Sequence, residues 1–175
     1  ELLHAEELGE LLYFDSMRVN LGLFQHDVNV LWDLAVHDLS ILDYLVSRLP
    51  TTVSCIAAKH LPQAPENVAY LTLLFPNNFI AHVNVNWLSP VKLRQTLIAG
   101  TKKMIVYDDL ESSEKIKVYD KEVVITEDPR KVYEMLVGYR TGDILAPQIS
   151  LVEALAEEAK HFVSCIESGE RPITD

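Results

Sequence analysis

The 175-residue sequence predicts an α+β domain, an open, mostly antiparallel or mixed β-sheet with helices packed on one face. Three observations predict it. The stretches Val28–Leu49 (VNVLWDLAVHDLSILDYLVSRL) and Ser150–Ser168 repeat apolar residues at helical spacing, so each has one face that needs cover. Between them lie short β-branched and aromatic runs, separated by turns rich in Pro, Asn, Gly and Asp. One run, Phe79–Leu88, alternates strictly: His82, Asn84 and Asn86 share one face, Ala81, Val83, Val85 and Trp87 the other.

In chain order, ELLHAEELGELL reads as the end of a helix that stops near Gly9, and Leu11–Asn20 (LLYFDSMRVN) as a strand. Leu21–Asp27 is a loop into the Val28–Leu49 helix, which Pro50 stops. On that helix Leu31, Leu34, Ala35, Leu39, Leu42, Leu45, Val46 and Leu49 form the apolar stripe. Asp33, His37, Ser40, Tyr44 and Ser47 form a polar stripe roughly opposite. Asp38 falls inside the apolar stripe, and a buried carboxylate requires a specific partner. Thr51–His60 is a strand, Pro62–Asn67 a turn, and Val68–Phe75 with Phe79–Leu88 a hairpin about Pro76-Asn77-Asn78. Lys92–Ala99 and Lys103–Tyr107 turn at Gly100-Thr101, and Ile116–Tyr119 and Val123–Thr126 at Asp120-Lys121. Val132–Arg140 is a last strand or a short helix. Ser150 and Glu153 form a capping box for the final helix, with Leu151, Leu155, Ala159, Phe162, Val163 and Ile166 as its buried stripe. Gly169 and Pro172 end it.

The length suits one domain with a sizeable core, spanning 1–175. A net charge of −11 argues against a nucleic-acid partner and against an anionic lipid surface. No apolar run is long enough to span a membrane. Nothing resembles a secretory leader, so the expected location is cytoplasmic. Cys55 and Cys165 belong to no CxxC or zinc pattern and read as reduced core residues. Both ends read as cut from a longer protein.

For chemistry, the absences come first. The glycines never form GxGxxG or GxxxxGK[ST], so no cofactor-binding residue is expected in this chain. What remains is Asp33 and His37, four apart on one helix face. Histidine can take a proton from an alcohol and return it, and a carboxylate one turn away can orient the ring or bind a substrate hydroxyl. The bland alternative is a solvated helix face. His26, Asp27, Asp33 and His37 also offer metal-ligand chemistry, but their spacing matches no established motif, so no metal site is assigned. Arg18 and Asn20, at alternate positions of the strand before the helix, are candidate substrate-binding residues. The row His82, Asn84, Asn86 faces substrate, solvent or another subunit. Lys92 and Arg94, after Pro90, read as an edge-strand device against aggregation.

The run RVNLGLFQHDVNVLWDLAVHDLSILDYL, followed by NVNWLSPVKLRQTLIAGTKKMIVYDD, YRTGD and PQISLVEALAEEAKHFVSCIESGERPITD, resembles the C-terminal domain of the Gfo/Idh/MocA oxidoreductases. It is most similar to their nucleotide-sugar 3-dehydrogenase branch. Val36 departs from the proline that such relatives often carry before the histidine. The resemblance implies an N-terminal Rossmann domain that is absent from this chain, and a sheet that assists oligomerisation. It further implies that Asp33 and His37 are the family's paired catalytic residues, meeting a lysine from that other domain. NAD or NADP, bound mainly there, would accept hydride from a sugar or nucleotide-sugar hydroxyl carbon while His37 moves the hydroxyl proton. The fragment alone is then expected to be inactive. The alternative is a non-catalytic dimerisation or ligand-binding module of the same fold. In either case a homo-oligomer through the sheet face is expected, with the row from Ala81 to Trp87 as a contact.

Overall fold

The structure, a computed structural model, describes residues 7–22, 25–120, 142–149 and 153–173. The elements are β1 (Leu11–Leu21), a π-helical turn (Leu31–Ala35) running into α1 (Val36–Val46), β2 (Thr52–Ala58), β3 (Val68–Leu74), β4 (Ile80–Asn86) and β5 (Leu88–Gly100). They continue with β6 (Met104–Asp108), β7 (Ile116–Tyr119), β8 (Ile144–Leu145) and α2 (Ala154–Ser168). The strands form one mixed sheet in the order β2-β3-β4-β1-β5-β6-β7-β8. β1 and β4 are parallel, and the other neighbours are antiparallel. A parallel pair needs a crossover, and the chain makes it by carrying α1 across the sheet before building β2 and β3.

The phase of α1 follows its apolar stripe. Ala35 and Leu42 are buried, and Leu31, Leu34, Leu39, Leu45 and Val46 pack against a core of Phe14, Val30, Ala81, Val83, Val85 and Ile98. Fully buried valines such as Val83 and Val85 contribute roughly 1.5–3 kcal/mol each. His37, Ser40, Tyr44 and Ser47 lie exposed on the outer side, as the spacing requires. Asn29 Oδ1 accepts from the Leu31 and Trp32 N–H groups, 3.2 Å each, satisfying two donors at the helix start. The helix closes at Ser47, whose left-handed backbone (φ 50°) lets its N–H reach Asp43 O. Leu49 therefore falls beyond the stripe and is exposed, contrary to the sequence expectation.

Asp38 has the partners that its position demands. It is 2% exposed, accepts from Ser16 Oγ at 2.7 Å, and takes Arg18 Nε at 2.8 Å and Nη2 at 3.2 Å. The helix is pinned to the centre of β1 by this one cluster.

Several expectations are corrected. Ala81, Val83, Val85 and Trp87 lie beneath α1, so the row cannot be a subunit contact; the open face instead carries His82, Asn84 and Asn86. Cys55 is exposed rather than core, because β2 is an edge strand on which every residue is exposed. Lys92 lies on the stretch of β5 before the pairing with β6 begins at Gln95, where no described strand covers the outer side, whereas Arg94 is met there by Asp109. The final helix starts at Ala154 with Glu153 as an extended N-cap making no side-chain bond. Its buried residue is Cys165, whereas Leu155, Phe162, Val163 and Ile166 are exposed, since no described element covers that stripe. Gly169 ends it with φ 73°, as expected. Ser150, Leu151 and the runs Val123–Thr126 and Val132–Arg140 lie outside the described residues. Among the described residues no helix is long and apolar enough to cross a membrane.

Replacing Asp38 by Ala strands Arg18 and Ser16 beneath the helix. The expected loss is about 3 kcal/mol, the scale for removing one partner of a buried pair. Urea unfolding measures it, and a loss below about 1 kcal/mol, the scale of an exposed pair, would contradict the pin.

Candidate functional site

Asp33 lies in the π-helical turn and His37 in the first turn of α1. π turns are rare and recur at functional sites because they re-aim side chains within a helix. Asp33 is half-buried, and its Oδ2 accepts from Trp87 Nε1 at 2.8 Å. His37 is exposed one turn further along, and its carbonyl accepts from Ser40 Oγ at 2.9 Å. The two side chains make no hydrogen bond to each other. A fixed carboxylate thus stands beside a solvent-facing imidazole.

Trp87 is the residue that sequence reasoning placed only in the core. It is buried, as expected, but its indole N–H also reaches the carboxylate. Its backbone is held on both sides, with N donating to Asn67 O at 3.0 Å and O accepting from Gly22 N at 3.2 Å. A Cβ on Gly22 would sit 3.3 Å from the indole ring, so glycine permits this close approach. The signal was available in the spacing, since a tryptophan closing a half-buried strand seeks a partner for its N–H.

Arg18 and Asn20 are brought towards the same end of the sheet in different ways. Arg18 is committed through Nε and Nη2 to Asp38. Asn20, half-buried, lies beside Gly22. Directly across from Arg18 in the ladder is Arg94, and next in the row comes Asp109, whose N–H donates to Arg94 O. Asp109 accepts from Arg94 Nη1 at 3.2 Å, Tyr107 Oη at 2.9 Å and Lys115 Nζ at 3.4 Å. Burial opposes its ionisation, but these three donors together hold its carboxyl below the usual range. Burial, then the bond to Asp109, pushes the Tyr107 phenol up to about 12. A separate cavity of about 740 Å³ opens at the far end of α1, lined by Arg48, Phe75, Asn77, Lys102 and neighbours, away from Asp33 and His37. Among the described residues no three His, Cys, Asp or Glu side chains are grouped to hold a metal.

Residues 1–106 match the family model of the GFO/IDH/MocA C-terminal domain. Solved structures share the fold. The UDP-N-acetylglucosamine 3-dehydrogenase GnnA from Acidithiobacillus ferrooxidans superposes with a TM-score of 0.75 at 19% identity, covering 98% of this chain and 50% of that one. The aldose-aldose oxidoreductase from Caulobacter crescentus, complexed with glycerol, gives 0.72 at 15% identity over 98% and 50%. The WlbA dehydrogenase from Bordetella pertussis, in complex with NADH and UDP-GlcNAcA, gives 0.70 at 13% identity over 99% and 50%. The chain spans about half the length of these structures. No curated protein matches it in sequence.

The Tyr107 phenol favours its neutral form in the fold, so its contribution to stability is complete below pH 10.0 and is lost as pH rises towards about 12. A spectrophotometric phenolate titration should show one late-ionising tyrosine that disappears in Tyr107→Phe. Superimposable curves would mean that Tyr107 is not held as described.

Proposed function

The chain belongs to the GFO/IDH/MocA C-terminal domain family, and from that premise we propose that it is the substrate domain of an NAD(P)-dependent oxidoreductase acting on a sugar or nucleotide-sugar hydroxyl. The observation that carries the reading is the placement of Asp33 and His37, the family-like pair, one turn apart at the helix start, with Asp33 fixed by Trp87 and His37 exposed. The NADH and UDP-GlcNAcA bound in the similar WlbA structure, and the nucleotide-sugar dehydrogenase identity of GnnA, support the cofactor and substrate classes.

The residues of this chain do not fit a dinucleotide site, because its glycines form no GxGxxG or GxxxxGK[ST] sequence to cradle a phosphate at a helix start. NAD or NADP would be held mainly by an N-terminal Rossmann domain outside this chain, and when bound supplies the hydride acceptor. The work of this chain is on the substrate. His37 accepts the proton of the hydroxyl whose carbon is oxidised and returns it in the reverse direction. Asp33, unable to swing away from the indole N–H, positions that hydroxyl. Arg18 and Asn20 contact the remainder of the substrate. The enzyme would work in the cytoplasm, and the isolated chain would be inactive.

The open sheet face supports a homo-oligomer. Met17, Tyr70, Leu74, Ile80 and Leu93 are exposed there, and Asn84 Oδ1 is buried with no hydrogen-bond partner among the described residues. A second copy against this face would cover the apolar groups.

In the full-length protein His37→Ala should lower kcat roughly 100-fold or more, the usual scale for a positioned acid–base group, with unchanged cofactor affinity. Asp33→Asn should lower kcat as well and raise KM. Steady-state kinetics with a nucleotide sugar tests both, and full turnover in His37→Ala would refute the assignment. For the assembly, Tyr70→Lys with Leu93→Lys should shift sedimentation to a smaller species; an unchanged species would place the interface elsewhere.

A further inference from the structure

Arg18 and Arg94 face each other directly across the antiparallel β1–β5 ladder, so both side chains project from the helix side of the sheet. Like charges at directly opposed positions destabilise a sheet. Here each guanidinium is drawn by its own carboxylate, Arg18 by Asp38 on the helix and Arg94 by Asp109 on β6's far end. These bonds use Nε and Nη2 of Arg18 but only Nη1 of Arg94. Nη1 of Arg18 and Nε and Nη2 of Arg94 have no partner among the described residues. Lys115 is also tied to Asp109, so among the described residues three cations meet two carboxylates. A surplus of positive charge is unexpected in a chain of net charge −11. The two arginines are 12% and 38% exposed, so solvent reaches both. The Tyr107 hydroxyl feels the charge of both, which marks them as one cluster.

We infer that Arg18 and Arg94 form a paired oxyanion site for the substrate, binding a phosphate or carboxylate group through the N–H donors that no described residue engages. This rests on the sugar or nucleotide-sugar reading above. Two planar forks side by side suit bidentate contact with an oxyanion, which supplies the negative charge that the row lacks. The pair adjoins the helix start that carries Asp33 and His37, because Arg18 is bonded to Asp38, the residue after His37. The oxyanion is either the diphosphate of a nucleotide sugar or the carboxylate of a sugar acid.

Calorimetric titration of the full-length protein, saturated with NAD(P) to block the cofactor site, tests this with inorganic pyrophosphate and with glucuronate as probes. The wild type should bind at least one probe, and Arg18→Gln and Arg94→Gln should each weaken that binding roughly 10-fold or more, the scale of a lost charge-assisted hydrogen bond. Weakening for pyrophosphate assigns the diphosphate, and weakening for glucuronate assigns the carboxylate. Arg18→Gln leaves Asp38 unpaired and risks unfolding. Arg94→Gln, whose partner Asp109 is only partly buried, is therefore the deciding variant. If the wild type binds neither probe, or Arg94→Gln binds both as tightly as wild type, the pair is structural and the inference is overturned. Probe binding needs no turnover. Binding through the arginines without any sugar oxidation would remove the proposed function and leave this site standing. Turnover with an unchanged KM and unchanged probe binding in Arg94→Gln would do the reverse.

Discussion

One buried charge constrains this domain. Asp38 lies in the apolar face of α1, where desolvation alone would expel an ionised carboxylate. It stays because β1 offers a serine and an arginine at alternate positions of the same strand face, Ser16 and Arg18, and both donors are satisfied at once. A hydrophobic stripe tolerates sliding or rotation by a fraction of a turn, since one apolar contact substitutes for another. A three-centred polar cluster does not. Asp38 thereby fixes the rotation of the helix about its axis and its height along β1. Every outward-facing residue of the helix inherits its position from that.

Asp33 and His37 are the residues for which the inheritance matters. They lie at the start of the helix, where an isolated end would fray. Here the end is held from two directions, by Asn29 capping the first N–H groups and by Trp87 holding the Asp33 carboxylate. Trp87 in turn sits on backbone bonds to Asn67 and Gly22, so two loop residues and the helix start converge on one tryptophan. The candidate site is built on a strand end and a helix start rather than on a free loop, which suits a pair of groups that must meet a substrate in one geometry.

Much of this was legible in the sequence. The two faces of α1, the anomalous position of Asp38, the alternation in β4 and the hairpin at Pro76-Asn77-Asn78 all follow from periodicity and turn chemistry. What sequence could not supply was order across the sheet. Nothing in the local pattern of Thr52–Ala58 distinguishes a central strand from an edge, so Cys55 read as core. Likewise, β5 lies between β1 and β6 only from Gln95 onward, a register that the local pattern does not show, so Lys92 and Arg94 read alike although only Arg94 is met by Asp109. The partner of Asp38 was required by the helix alone, but that it is Arg18 depends on register. The same holds for Trp87 and Asp33, separated by 54 residues. Local patterns specify faces; long-range pairing decides what each face meets.

The position of β1 has a consequence for the order in which the domain can assemble. Its neighbours on both sides, β4 and β5, are encoded about 67 to 89 residues downstream, so closing those contacts carries the entropy of a long loop. An emerging chain offers the first strand no sheet partner until β4 has been made, after β2 and β3. The β3–β4 hairpin joins neighbouring residues, so its contacts close at a lower entropic cost than those of β1. β1 is enclosed only when β5 has been added, and β5 in turn only when β6 has.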